Sequence, residues 1–183
     1  MVRHLTAPAT LALCAALALG SSGCGNIEPS DEPLPSFEEL RAEFGGQPAG
    51  RGVVVEGENG GGDRFPAAAE HNTTGEGELA RLRVNLLGAD PAVALVVFVD
   101  GERAAALRPG AEFEDAQFLY GRGDGSRGGG RLEITSVGEG RIEGVFAADL
   151  VPNGLVPDFR RVRGGFHAVP RPTGADEPGA RGK

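Results

Sequence analysis

The sequence predicts a mainly β protein, either an antiparallel β-sandwich or a small barrel, with one short N-terminal helix. Apolar residues alternate with polar ones along several stretches, which is the two-residue period of β-strands. Glycine-rich turn signals separate these stretches and indicate about seven to nine short strands. No alternation of strands with helices is visible, which disfavours an α/β fold.

The predicted helix covers residues 37–44, before the first strand. Ser36 is a favourable N-cap, and Glu39 stands three residues later, where a capping box places an acidic side chain. Gly45-Gly46 ends the helical pattern. Three apolar residues share one face of this helix, namely Phe37, Leu40 and Phe44. We therefore expect the helix to pack on an edge or an end of the β structure.

Four strands are predicted in the first half of the domain. A short strand covers Gly52–Glu56, and alternation over Leu79–Leu86 indicates a strand with one buried and one wet face. Ala92–Val99 is apolar on both faces, which predicts a central strand covered on both sides. Asp100-Gly101 is typical of a two-residue hairpin turn, so a fourth strand is expected over Glu102–Leu107.

A second hairpin and a closing strand are predicted further on. Arg131–Val137 and Arg141–Leu150 are joined by Gly138-Glu139-Gly140, and Arg161–Val169 forms the last strand. Alternation places these residues inside: Leu132, Ile134, Ile142, Phe146, Ala148, Leu150, Val162, Phe166 and Ala168.

The last two predicted strands share the pattern Gly-x-Phe-x-Ala, which begins at Gly144 and again at Gly164. Within each copy the glycine and the phenylalanine point to the same face of the strand. Each glycine is therefore expected to make room for a neighbouring aromatic ring.

The N-terminus has the order of an export signal. Arg3 supplies a basic start, and the apolar run Leu11–Leu19 is long enough for a signal-peptide core but too short to span a membrane. The small residues Ser21-Ser22-Gly23 then precede Cys24. Cys14 is the competing cysteine, but Leu13 before it is too bulky for a cleavage position.

This order resembles the signal peptide and lipobox of bacterial lipoproteins. The resemblance implies cleavage between Gly23 and Cys24, with a diacylglyceryl group on the Cys24 thiol. Two or three acyl chains would then hold the protein on a membrane durably. Gly25 stands where an aspartate retains some lipoproteins in the inner membrane, so the outer membrane is expected. The mature part is similar to small, β-rich bacterial lipoproteins.

The chain is thereby divided into four parts. Residues 1–23 are the predicted signal peptide, and 24–36 are the lipidated cysteine and a flexible tether rich in proline and charge. The β-rich globular domain covers 37–169, and a polar, disordered tail covers 170–183.

Composition excludes several function classes. Removal of the signal peptide would take away one of the 18 basic residues and none of the 26 acidic ones, which leaves a net charge of −9. Such a chain is repelled by nucleic acid. Tryptophan is absent and Tyr120 is the only tyrosine, which argues against a carbohydrate-binding surface. With Cys24 as the only mature cysteine, no intramolecular disulfide can form.

No catalytic or metal-ligating set stands out. Ser126 lies in a glycine-rich stretch without the strand–turn–helix context of a nucleophile elbow. His71 and His167 could join Glu70 or Asp63 on zinc, but their spacing fits no known ligand pattern, and His167 is expected on the surface. The loops Glu58–Asp63 and Arg122–Gly125 carry oxygen ligands without the spacing of a calcium loop.

We therefore expect a non-enzymatic, lipid-anchored protein of the bacterial cell envelope, with a binding or structural role and no cofactor. Its predicted partners are the membrane, through acyl chains on Cys24, and an envelope protein. Recognition would lie first in the long loops 57–78 and 121–130. The alternatives are an envelope hydrolase that uses His71 or His167 with carboxylates, and a small barrel that binds an apolar ligand.

Overall fold

The computed structural model describes residues 32–57, 62–89, 94–105, 107–121, 125–151 and 160–172. They form a closed barrel of eight strands in chain order. Each strand is antiparallel to the next, and the last strand pairs back onto the first. The prediction of a mainly β fold is confirmed, and of its two forms the structure has the barrel.

The strands are β1 (Arg51–Glu56), β2 (Asp63–Thr74), β3 (Arg81–Gly88), β4 (Ala94–Asp100), β5 (Ala111–Tyr120), β6 (Ser126–Gly138), β7 (Arg141–Val151) and β8 (Arg160–Pro170). Helix α1 covers Phe37–Phe44, α2 covers Glu102–Ala105, and a single 3₁₀ turn covers Gly77–Leu79. Because neighbours alternate in direction, the odd-numbered strands all finish at one end of the barrel, which we call the Glu56 end. Strand β8 finishes at the opposite end, the Pro170 end.

The barrel interior is filled by alternate side chains of the strands. All nine inward positions predicted for the last three strands belong to this buried cluster, which confirms their alternation. The rings of Phe118, Phe146 and Phe166 form a row, with centroid distances of 5.8 and 6.5 Å between successive rings. Since all three are almost fully buried, the centre of the barrel is packed with aromatic side chains.

Two glycines make room for two of these rings. In the pairing of β7 with β8, Gly144 stands opposite Phe166 and Phe146 stands opposite Gly164. A Cβ atom added at either glycine would lie 2.8 Å from the Cζ atom of the ring opposite. Each glycine of the repeated Gly-x-Phe-x-Ala pattern therefore makes room for the ring on the neighbouring strand, which confirms the role expected for it.

Two local predictions are also confirmed. Ser36 caps α1 with a full capping box: its amide donates to the Glu39 carboxylate (2.7 Å), and the Glu39 amide donates to the Ser36 hydroxyl (3.3 Å). The Ser36 hydroxyl also lowers the pKa of Glu39. Glu139 and Gly140 have φ of 50° and 73°, as a two-residue hairpin turn between β6 and β7 requires.

The strand predicted over Glu102–Leu107 is wrong. Gly101 has a φ of 81° and turns the chain, but a helical turn follows in place of a strand. Its sequence, Glu-Arg-Ala-Ala, is rich in helix-favouring residues. The amide of Ala104 donates to the Gly101 carbonyl (2.9 Å), and Ala104 is buried at the Pro170 end.

The prediction that β4 is covered on both faces is also wrong. Its inner residues Leu95, Val97 and Val99 are buried, but the outer residues Val96 and Phe98 remain half-exposed. The described helix next to β4 is α2, and its Ala104 joins the interior cluster instead of covering the outer face. Two guanidinium groups partly cover the Phe98 ring instead, those of Arg81 and Arg83, at 5.8 and 5.6 Å from its centroid.

We expect Gly144→Ala to destabilise the barrel by about 1–3 kcal/mol, because the new methyl group would overlap the Phe166 ring and the Glu133 carbonyl. Gly138→Ala, on the same hairpin, is the control, since nothing lies within 4 Å of an added Cβ there. Urea unfolding measures both variants, and the control should stay within about 0.5 kcal/mol of the parent. Equal effects of the two substitutions would contradict the proposed ring contact.

Candidate functional site

Residues 32–44, the N-terminal arm, lie on the outer wall of the barrel. The apolar face of α1 packs there on β1 and β7 in a second buried cluster, which consists of Phe37, Leu40, Phe44, Val53, Val55, Val145 and Ala147. Gly165 of β8 permits this close approach, because a Cβ atom added there would lie 2.5 Å from the Phe44 carbonyl oxygen. The second cluster and the interior core lie on opposite faces of the wall.

Arg161 fastens the start of the arm to the Glu56 end of the barrel. Its guanidinium binds both carboxylate oxygens of Asp149, at 2.8 and 3.1 Å. The same group donates to the main-chain carbonyls of Glu32 (2.7 Å) and Pro33 (3.4 Å). The Arg161 side chain is only 8% exposed, so these bonds form largely away from water.

Two more arginines fasten the rest of the arm. Arg131 binds both carboxylate oxygens of Glu114 (2.7 and 3.0 Å), donates to the Pro35 carbonyl (3.2 Å), and lies 4.5 Å from the centroid of the Phe37 ring. Its hydrogen bond to Glu114 raises the pKa of Arg131. Arg41 of α1 binds the buried carboxylate of Glu133 on β6 at 2.6 Å.

A groove of about 590 Å³ lies between the arm and β8. The chain from Glu32 to Pro35 and the helix residues Glu39, Leu40 and Glu43 form its walls, while Arg161 and Arg163 line its barrel side. The Arg163 guanidinium is 3.6 Å from the Glu43 carboxylate. The groove therefore offers apolar walls and charges of both signs, which suits binding, and its described lining includes no serine, cysteine or histidine.

The two described histidines lie towards the Pro170 end and bind main-chain carbonyls. His71 Nε2 is 2.6 Å from the Gly140 oxygen, and His167 Nδ1 is 3.0 Å from the Gln47 oxygen. His167 Nδ1 also lies 3.4 Å from the Glu143 carboxylate. His167 is on the outer wall as predicted, but its side chain is mostly buried.

No described serine is placed to work with a histidine. Ser126 pairs with Tyr120 at the Glu56 end, at the far end of the barrel from both histidines. Ser136, Glu143 and His167 occupy one row across β6, β7 and β8. Since Glu143 is the middle residue of this row, two strand spacings, about 10 Å, separate Ser136 from His167. A nucleophilic triad instead needs the histidine between the serine and the acid.

Some of the predicted metal ligands are not brought together by the structure, and other predicted site residues lie outside the described ranges. In the described ranges, no three His, Cys, Asp or Glu side chains are placed to hold a metal ion. Cys24 lies outside the described residues, as does most of the two glycine-rich loops considered for calcium.

The prediction that 57–78 and 121–130 are long loops is wrong. Most of 57–78 is β2, and the end of 121–130 begins β6. Strand β2 was missed because its inward residues Ala67 and Ala69 are small, so the alternation of hydrophobicity is weak. The hydrogen bonds of Arg161 and Arg131 to the arm were missed because their acceptors are backbone carbonyls, which every residue carries.

No family model, curated protein or solved structure matches this chain. Among the helices that the structure describes, none has the length and apolar character needed to cross a bilayer.

We expect Arg161→Lys to loosen the start of the arm, because a lysine cannot bind Asp149 and two carbonyls together. Because Pro33 and Pro35 have no amide hydrogen, the measurement uses the Ser36 amide, which donates to Glu39, and the amides of α1. Their hydrogen exchange should become up to about tenfold faster, which corresponds to the loss of one hydrogen bond that holds the arm. Amides in β6 and β7 should exchange as in the parent.

Arg81→Lys is the control for the loss of a two-oxygen arginine–carboxylate contact. Arg81 binds both oxygens of Asp100 across β3 and β4, as Arg161 binds Asp149, but it contacts no part of the arm. Unchanged exchange of the arm in Arg161→Lys, or equal acceleration in both variants, would contradict the role given to Arg161.

Proposed function

We propose that the protein is a lipid-anchored lipoprotein of the bacterial cell envelope, held on the outer membrane through Cys24, with a non-enzymatic binding or structural role. The observation that carries the proposal is the order of the first residues: a basic start, the apolar run Leu11–Leu19, small residues, then Cys24. A single cysteine in a mature protein outside the cytoplasm is unusual unless it is modified. Lipidation of Cys24 would account for its presence.

The attachment of the arm supports this function. Glu32, the first described residue, stands eight positions after Cys24 and is bound through its carbonyl to Arg161. Tension on the lipidated N-terminus would therefore be transmitted to the barrel wall through only eight residues of chain. The contacts of Arg131, Arg41 and Arg163 with the arm and the apolar face of α1 then bear part of the same tension.

The geometry favours binding or structure over the two alternatives. A hydrolase needs a nucleophile or paired carboxylates beside a histidine, whereas His71 and His167 of the described residues both bind main-chain carbonyls. A carrier of apolar ligands needs interior space, whereas the rings of Phe118, Phe146 and Phe166 occupy the middle of the barrel.

Expression of the full chain in a bacterial host tests the anchor. We expect the parent protein to fractionate with membranes, and its N-terminal peptide to carry the mass of acyl groups on Cys24. Cys24→Ser should remove this mass and block lipid-dependent processing. Cys14→Ser is the control and should behave as the parent, since residue 14 lies in the predicted signal. A mature chain that starts elsewhere, or that carries a free Cys24 thiol, would overturn the proposal.

A further inference from the structure

We propose that the Glu56 end of the barrel rests on the surface of the bilayer, through an apolar rim on its outer wall that consists of Leu87, Val96, Leu119, Arg127 and Val151. This inference rests on the proposed function, because it takes Cys24 as the anchor. It adds an interaction surface and an orientation, which the anchor alone does not specify.

The first argument is the position of the arm. Arg161 lies near the start of β8 and binds the Glu32 and Pro33 carbonyls, so the chain leaves the barrel at the Glu56 end. The eight residues back to Cys24 can span at most about 28 Å when fully extended. The Glu56 end is therefore the part of the barrel that the anchor keeps close to the membrane.

The length of the tether also keeps the Pro170 end away from the bilayer. Strand β8 has 11 residues, which in a tilted barrel strand correspond to about 28 Å along the axis. For the Pro170 end to reach the bilayer, the tether would have to run the whole length of the barrel without slack. That would remove nearly all of its conformational freedom, which is unfavourable.

The second argument is that exposed apolar side chains adjoin one another at the Glu56 end, whereas Leu79 and Val137, the exposed large apolar residues described towards the Pro170 end, lie on separate elements. Leu119 pairs with Val96 on one side and with Arg127 on the other, and Arg127 pairs with Val151. Leu87 is diagonal to Val96 across β3 and β4. These five residues form one continuous strip of the outer wall near the rim, and Leu87, Leu119 and Val151 are each about two-fifths exposed.

The chemistry of the rim suits the headgroup region of a bilayer. Transfer of leucine and valine side chains from water to the boundary with the acyl chains is favourable in free energy. An arginine between them can bind lipid phosphate while its aliphatic stem stays in apolar surroundings. The net charge of the mature chain is −9, so the barrel has no general attraction to anionic lipids. Contact should therefore depend on the anchor.

The absence of tryptophan from the chain provides a direct test. Val151→Trp places the only indole on the rim, and Val137→Trp places it on the wall near the Pro170 end. The parent valines are both 39% exposed, so the two variants are matched. Residues 24–183, which include every described residue, would be coupled through the Cys24 thiol to maleimide lipid in phosphatidylcholine vesicles. Brominated acyl chains then quench an indole only when it reaches the bilayer.

We expect several-fold stronger quenching for Val151→Trp than for Val137→Trp, and we expect Leu119→Ser in the Val151→Trp background to reduce it. Equal quenching, or stronger quenching at position 137, would overturn the proposed orientation. The rim could instead be covered by a second copy of the chain, which sedimentation of the uncoupled protein tests. A dimer that Leu119→Ser disrupts would overturn the proposed contact with the bilayer.

The two proposals fail separately. Chemical coupling supplies the anchor in this experiment, so the quenching result stands whether or not a host lipidates Cys24. Analysis of the native N-terminus tests lipidation without reference to orientation.

Discussion

Closure of the sheet between β8 and β1 is the constraint on which the rest of the structure depends. Strand β1 has only six residues and pairs along its whole length with both β2 and β8. Gly164 and Gly165 lie in the middle of this seam, opposite Val54 and Val53. Gly164 leaves interior space for the Phe146 ring, and Gly165 lets the backbone of Phe44 approach from outside. Two adjacent glycines thus thin the wall on both faces, where the core and the arm come closest.

The features that could be predicted from the sequence are those with local causes. The capping box at Ser36 fixes the start of α1, and the positive φ angles at Glu139 and Gly140 fix the hairpin between β6 and β7. Neither depends on a distant part of the chain. The inward residues of β7 and β8 were predictable for the same reason, because large apolar residues recur at four-residue steps and therefore share one face: Ile142, Phe146 and Leu150 on β7, and Val162 and Phe166 on β8.

The features that escaped prediction depend on irregular or distant pairing. In β5, a bulge between Phe113 and Ala116 shifts the side-chain alternation, so that the buried residues no longer follow one two-residue period. A barrel differs from a sandwich by the hydrogen bonds between the first and last strands, which local alternation does not specify. The candidate site was hidden for a related reason: Arg161 and Arg131 meet carbonyls more than 90 residues away in the chain.

The arm and the barrel core belong to two separate apolar clusters, and this separation would suit the proposed membrane anchor. The second apolar cluster shares no residue with the interior cluster, and the wall of β1, β7 and β8 lies between them. Tension from a membrane anchor would enter at Arg161 and act first on hydrogen bonds to two carbonyls, which can open locally without exposing the Phe146 core. The arm can thus give way in steps, from Arg161 to Arg131 to α1, while the closed hydrogen-bonded sheet keeps its shape. A continuous core that included the tether would instead transmit the same tension to the aromatic interior, where loss of packing unfolds the whole domain.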